Sequence, residues 1–230
     1  MYKYETHLHT SPVSRCARAT VRENLEAYKS LGYDGVFITN HFIDGNIYDI
    51  GEKDYKKRLD FFFSDYDEAV KIKDEIGIKV FLGAELSYKG SDFLVYGLDK
   101  SWYYEHPEIE QMTKRQELEF MMSEGALVIH AHPFREARYI DHIRLFPRSV
   151  HGVEIINSSR TPFENKMAEQ YAKNYELLEF AGTDNHIGAS HTLFAGMECR
   201  TPVESEADFA LKFFNGELKI FTLDPRRMRF

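Results

Sequence analysis

Cysteine is nearly absent: Cys16 and Cys199 are the only two in 230 residues. Two thiols cannot build a disulfide framework, and they lack the paired spacing of a structural zinc site, so any metal must rest mainly on imidazole and carboxylate. Long apolar runs are missing too. The opening Met-Tyr-Lys-Tyr-Glu-Thr-His has neither the basic end nor the apolar stretch of a secretory signal, and no run approaches bilayer-spanning length. A cytoplasmic protein without membrane association is therefore expected. No glycine-rich dinucleotide or P-loop fingerprint follows any apolar run. Linkers, low-complexity tracts and internal repeats are also missing, so residues 1–230 are expected to form a single domain, a length within reach of one large core. Positive charge is in deficit, 29 Lys and Arg against 37 Asp and Glu, and the net charge of -8 opposes an extended nucleic-acid footprint. The one basic cluster, Arg226, Arg227 and Arg229, reads as a solvated chain end.

What is present is ordinary globular composition, 43% hydrophobic and 29% charged, arranged as short apolar runs alternating with longer amphipathic stretches. Strands are expected at Tyr2 to His7, Gly35 to Thr39, Lys79 to Leu82, Phe93 to Gly97, Leu127 to His130, Val153 to Ile156 and Leu178 to Ala181. Helix starts are signalled by Thr20 with Glu23, Thr161-Pro162 with Glu164 and Thr201-Pro202 with Glu204, and helix stops by Gly32, Gly77 and Gly125. Short apolar strands with helical crossovers favour parallel pairing, hence an α/β barrel of seven strands, with an open doubly wound sheet as the alternative.

Four strand ends carry a His or acid cluster: His7-Leu8-His9, Thr39-Asn40-His41, His130-Ala131-His132-Pro133 and Thr183-Asp184-Asn185-His186. Glu85 follows a fifth, Val80-Phe81-Leu82-Gly83-Ala84. Residues two apart in an extended strand share a face, so His7 with His9, and Asp184 with His186, can each present two ligands to one point. Ten histidines placed at random give roughly 0.4 pairs at any fixed spacing, so a lone HxH means little. Clusters at successive strand ends are different, because parallel strands bring those ends to one face. Glu85 behind an apolar run needs a cationic partner to offset its desolvation. Imidazole and carboxylate donors suit zinc, manganese or iron.

The order HxH, a His after the second strand, a Glu, His-Pro and then DxH resembles the PHP family, named for polymerase and histidinol phosphatase. The likeness runs from His7 to His186 and includes Gly83-Ala84-Glu85 and Gly152-Val153-Glu154-Ile155-Ile156-Asn157. It implies a distorted seven-stranded (β/α) TIM-like barrel holding two or three divalent ions. One would be held by His7, His9, Glu85 and Asp184, a second by the bridging Glu85 with His132, and a third by His41 and His186. The chain departs from the family pattern at Asn40, where an acid is usual, and at Asp92, where many members have a His that reaches the second metal and where Asp92 is a candidate to ligate it through oxygen. After HxH it offers Ser14, Arg15 and Cys16 where the family offers an Asp or His, which makes Cys16 the soft ligand nearest the third metal.

This resemblance implies a metal-dependent phosphoesterase in which two ions about 4 Å apart activate water for in-line attack on a small phosphomonoester. Histidinol phosphate, a nucleotide or oligonucleotide end, and a phosphotyrosyl peptide are all compatible. Arg15, Arg18, Arg135 and Arg160 follow strand ends and are candidates for clamping phosphate oxygens. His41 and His186, with the ions they would hold, and His191 as a proton donor, are the catalytic candidates. An amidohydrolase-like enzyme cleaving C–N or carboxyl-ester bonds, and a non-catalytic metal-binding regulator, are the competing readings. The segment Ile43 to Asp74 carries Tyr48, Tyr55, Phe61, Phe62, Phe63 and Tyr66, as core packing or as a lid.

Overall fold

A computed structural model describes residues 1–227. All seven expected strands form, and three more join them. In chain order they are β1 Tyr2–Leu8, β2 Gly35–Ile38, β3 Lys79–Leu82, β4 Ala84–Tyr88, β5 Ser91–Tyr96, β6 Leu127–Ala131, β7 Gly152–Asn157, β8 Leu178–Gly182, β9 Phe194–Cys199 and β10 Lys219–Leu223. They lie in two five-stranded sheets, ordered β10-β9-β1-β2-β3 and β4-β5-β6-β7-β8, so the expected closed seven-stranded barrel is not formed.

Local chemistry explains the difference. Lys89 and Gly90 both take positive φ, 48° and 88°, and make the two-residue turn that joins β4 to β5 with Tyr88 opposite Ser91. A link that short permits only antiparallel pairing. β5 also runs antiparallel to β6, and β9 antiparallel to both β1 and β10, whereas β1-β2, β2-β3, β6-β7 and β7-β8 are parallel as expected. The two sheets nevertheless adjoin. Gly83 alone separates β3 from β4, and across that seam the Gly83 N–H donates to the Ile38 carbonyl at 3.0 Å and the Glu85 N–H to the Asn40 carbonyl at 3.1 Å. Between β1 and the end of β8, the His9 N–H donates to the Asn185 carbonyl at 3.1 Å and the Thr6 hydroxyl to the Ala181 carbonyl at 2.5 Å.

The helices are α1 Val21–Ser30, α2 Tyr55–Phe62, α3 Ser64–Ile76, α4 Lys100–Glu105, α5 Lys114–Ser123, α6 Pro162–Asn174 and α7 Glu206–Phe214. Capping boxes form at Thr20 with Glu23 and at Thr161 with Glu164, and Gly77 ends α3 in the left-handed conformation. The third expected start fails. The Val203 N–H donates to the Tyr4 hydroxyl at 2.8 Å, which ties residues 201–204 to β1, and Ser205 caps α7 instead.

Phe209 and Phe213 of α7 close one end of the interior against Phe37, Tyr96 and Phe180, with the Phe37 and Phe209 ring centres 4.4 Å apart. Each fully buried aromatic of this kind contributes roughly 2 kcal/mol. The apolar end holds the strands in register and leaves the opposite ends of β1, β2, β6 and β8 free to carry polar groups. Of the aromatic segment, Phe62 and Phe63 are buried in core, whereas Tyr48 is 54% exposed. Arg226 pairs with Asp224 at 2.9 Å, and Arg229 lies outside the described residues. Among the described residues no helix is long and apolar enough to cross a membrane.

Gly196 of β9 lies so close to β1 that an added Cβ would stand 2.1 Å from the Tyr4 carbonyl oxygen. Gly196→Ala is therefore expected to prise β9 from β1 and to cost roughly 1–3 kcal/mol or more, read as a lower urea midpoint; an unchanged midpoint would contradict the tight packing of this pair.

Candidate metal centre

The expected ligands converge on one point. Glu85 lies inside β4 as its second residue, not behind β3, and its side chain is 1% exposed. Four imidazoles surround its two oxygens: Oε1 is 3.1 Å from His7 Nε2 and 3.3 Å from His132 Nε2, and Oε2 is 2.7 Å from His41 Nδ1 and 3.3 Å from His9 Nε2. Asp184 closes the ring with Oδ1 3.6 Å from His7 Nε2 and 3.5 Å from His9 Nε2. Three overlapping triads bring their ligand atoms within 4.8 Å of one another: His7, His9 and Asp184; His7, Glu85 and His132; and His9, His41 and His186. The likeness to the PHP pattern implied two or three divalent ions, and each triad is a group of side chains that could hold one.

A shell of hydrogen bonds aims the rings. His7 Nδ1 donates to Glu154 Oε1 at 2.8 Å, which leaves Nε2 pointing into the cluster. For His9 the tautomer follows from Ser14. The Ser14 hydroxyl donates to Asn40 Oδ1 at 2.8 Å and accepts the His41 N–H at 3.0 Å, so His9 Nδ1, at 3.0 Å, must be the donor to it. Asn40 is itself fixed by donating to Asp65 at 3.1 Å and accepting the Thr10 N–H at 2.7 Å. The residue that departs from the family pattern thus acts through Ser14. His186 Nδ1 donates to the Asp184 carbonyl at 2.8 Å and turns Nε2 toward Cys16. His132 and Asp184 both hold positive φ, 25° and 54°, a strained backbone at two ligand positions that costs of order 1–3 kcal/mol each.

This shell sets up a charge problem. With its Nδ1 proton engaged, His9 turns a bare Nε2 to within 3.2 Å of His7 Nε2, and the two lone pairs repel unless a cation or proton sits between them. Burial pushes His7 down, but Glu154, Asp184 and Glu85 outweigh it and hold the ring well above the usual histidine range. His41 is likewise lowered by burial and raised more by Glu85 and Cys16, to about 10. Burial, with His186 and His41 beside it, holds His9 well below the histidine range. Burial raises Glu85 and Asp184, but the surrounding imidazoles outweigh it and keep both carboxyls low. The carboxylates therefore favour a proton on His7 and on His41, and divalent ions would serve the same carboxylates.

The other candidates divide. Asp92 is buried, accepts from the Ser87 hydroxyl at 2.7 Å and pairs with Arg135 at 3.2 Å, with its Oδ2 3.9 Å from His132 Nε2. Burial and Glu85 raise its carboxyl. Arg135 and Arg160 both line the cleft over the cluster, a cavity of about 600 Å³, and Arg160 is 3.7 Å from Asp184. Arg15 and Arg18 are exposed and do not line it, because the chain turns them outward; the Arg18 N–H is bonded to the His186 carbonyl at 2.7 Å. His191 does not line it either, and its Nε2 is 3.0 Å from the Ser158 hydroxyl. Cys16 does line it, with Sγ 3.3 Å from His41 Nε2 and 3.1 Å from His186 Nε2. Sequence reasoning gave no role to Glu154, Ser14 or Glu5. An acid inside the apolar run Val153-Glu154-Ile155 is the same signal that marked Glu85. Glu5 sits two residues before His7 on the same face of β1 and accepts the His7 N–H at 2.7 Å and the Thr183 N–H at 3.1 Å.

No family profile and no curated protein matches the chain. Solved structures do. A two-domain protein from Bacteroides vulgatus containing a predicted PHP-like metal-dependent phosphoesterase superposes over 96% of this chain with a TM-score of 0.67 at 15% identity. The chain spans 64% of that protein's length. A candidate metal-dependent phosphoesterase from Bifidobacterium adolescentis matches 82% of this chain and 89% of its own, with a TM-score of 0.55 at 15% identity. An amidohydrolase from Chromobacterium violaceum, solved with bound sulfate, covers 97% of this chain and 98% of its own, with a TM-score of 0.53 at 11% identity. The chain thus shares the mixed α/β fold of these structures, one of which contains a PHP-like protein, the group that its motif order resembles.

Burial raises the Cys16 thiol, but hydrogen bonds with His186 and His41 outweigh it and bring it down to about 6. Since the thiolate is the nucleophile, alkylation of Cys16 in metal-free protein is expected to climb through pH 6 and level off by about pH 7.5. A rate still climbing through pH 9 would contradict the contact with the two imidazoles.

Proposed function

We propose that this chain is a metal-dependent hydrolase, specifically a phosphoesterase that cleaves a small phosphomonoester, with residues 1–230 acting as one catalytic domain. The observation that carries the reading is that the buried cluster of His7, His9, Glu85, His132 and Asp184 opens, through Glu85, His132 and Asp184, onto a cleft also lined by the guanidinium groups of Arg135 and Arg160. The donor set fits divalent metal: neutral imidazole nitrogens, buried carboxylates, and crowded Nε2 atoms that need a cation between them.

His7, His9, Glu85 and Asp184 would hold one ion, Glu85 again with His132 and Asp92 a second, and His41 with His186 and Cys16 a third, drawn from zinc, manganese or iron. Such ions supply Lewis acidity toward a phosphoryl oxygen and lower the pKa of water to near neutrality. Arg135 and Arg160 bind non-bridging phosphate oxygens and orient the ester, since a planar guanidinium matches phosphate through paired hydrogen bonds. Glu154 and Ser14 hold the His7 and His9 rings in place while charge develops in the cleft. The net charge of -8 favours a small substrate over a polynucleotide, and two free cysteines fit the reducing cytoplasm. An amidohydrolase reading draws support from the Chromobacterium structure, but the residues lining this cleft include no lysine to supply a carboxylated bridge.

Phosphate release from a panel of phosphomonoesters and short oligonucleotides, by chelated protein and by protein restored with manganese, zinc or iron, tests the proposal. Restored protein is expected to release phosphate, and both chelation and Asp184→Ala should reduce the rate by at least about 10³-fold. Metal uptake without cleavage of any phosphoester would move the function toward the amidohydrolase or regulatory readings.

A further inference from the structure

Apart from Gly45 and Gly90, the described residues that line the cleft over the cluster offer charged, polar, thiol or imidazole groups, and Tyr139 adds the one large ring with a hydrocarbon face. It stands on the irregular segment between β6 and β7 and is 71% exposed, a large ring left in water at the mouth of a polar site. Phe163 and Tyr175 are exposed as well, and what sets Tyr139 apart is its place on the lining of the cleft.

The backbone on both sides of the ring is pinned. On one side the Arg135 N–H donates to the His132 carbonyl at 2.9 Å and the Glu136 N–H to Glu164 Oε1 at 2.9 Å. On the other, Ile140 packs over the β4-β5 turn, where a Cβ on Gly90 would meet it at 2.8 Å, and Arg144 donates to the Lys89 carbonyl at 2.7 Å. The Arg135 guanidinium lies 5.6 Å from the Tyr139 ring centre and is tethered to the buried Asp92, which lies 3.9 Å from His132. One face of the ring is thus occupied by a cation that also faces the phosphate position, and the rest of its surface is open.

We propose that Tyr139 is a stacking platform for a planar aromatic leaving group, so that the preferred substrates are phosphate esters of an aryl or nucleoside alcohol rather than of an aliphatic one. This rests on the phosphoesterase reading. Arg135 couples the two subsites, with one guanidinium set between the phosphate and the ring on which the leaving group stacks. A flat π-system is the chemistry that recovers the exposed face, and a short aliphatic alcohol cannot.

The test is calorimetric binding of phenylphosphonate and methylphosphonate to manganese-restored protein, in wild type, Tyr139→Ala and Tyr139→Phe. Phenylphosphonate is expected to bind about tenfold tighter than methylphosphonate, a preference kept by Tyr139→Phe and erased by Tyr139→Ala with methylphosphonate affinity unchanged. Equal affinities in wild type, or a preference that survives Tyr139→Ala, would overturn the platform while leaving the phosphate site intact. If neither phosphonate binds, the phosphoesterase reading itself falls and takes the platform with it. Hydrolysis of phenyl phosphate against adenosine 5′-monophosphate then separates aryl from nucleoside leaving groups.

Discussion

One buried carboxylate organises this protein. Glu85 reaches into the interior with four imidazole nitrogens between 2.7 and 3.3 Å from its oxygens, and it is almost wholly removed from water. An isolated carboxylate in that position would lose several kcal/mol of solvation, so the site can exist only if cations or protons surround it. The histidines supply the protons when no other cation does, and the same nitrogens and oxygens are the donors a divalent ion requires.

The fold serves that constraint through its two seams. β1 delivers His7 and His9 where the sheets adjoin, and the Glu85 backbone is held by Asn40 and Phe42 at the other seam, with the Phe42 N–H donating to its carbonyl at 2.8 Å. Glu85 faces His41 through a parallel bridge that carries the β2-β3 pairing on past Gly83 into the start of β4. The hairpin at Lys89-Gly90 then sets β4 against β5, with Ser87 opposite Asp92. It also carries the turn over which Ile140 of the Tyr139 segment packs.

Much of this was legible in the sequence, for identifiable reasons. His7, His9, His41, Glu85, His132, Asp184 and His186 could be read because each stands at or just beyond the end of an apolar run, where strand periodicity fixes direction. β4 was hidden because the single residue Gly83 separates it from β3, and Lys89-Gly90 was passed over as a turn signal. β9 and β10 lack the strand-end polar clusters by which the others were found, and β10 is only partly buried. Arg15 and Arg18 follow a strand end as Arg135 and Arg160 do, but that position does not fix which way a loop turns its side chains, and neither lines the cleft. Ser14 and Glu154 escaped because their roles exist only through space: Ser14 fixes a tautomer five residues away, and Glu154 orients a ring on another strand.

The claim that the cluster is a metal centre is tested most directly by anomalous diffraction from crystals of manganese- or zinc-restored protein. The account predicts at least two strong peaks inside the ring formed by His7, His9, Glu85, His132 and Asp184, with Glu85 touching two of them. Crystals that hold an ordered, unchanged cluster with no anomalous peak within it would contradict the account.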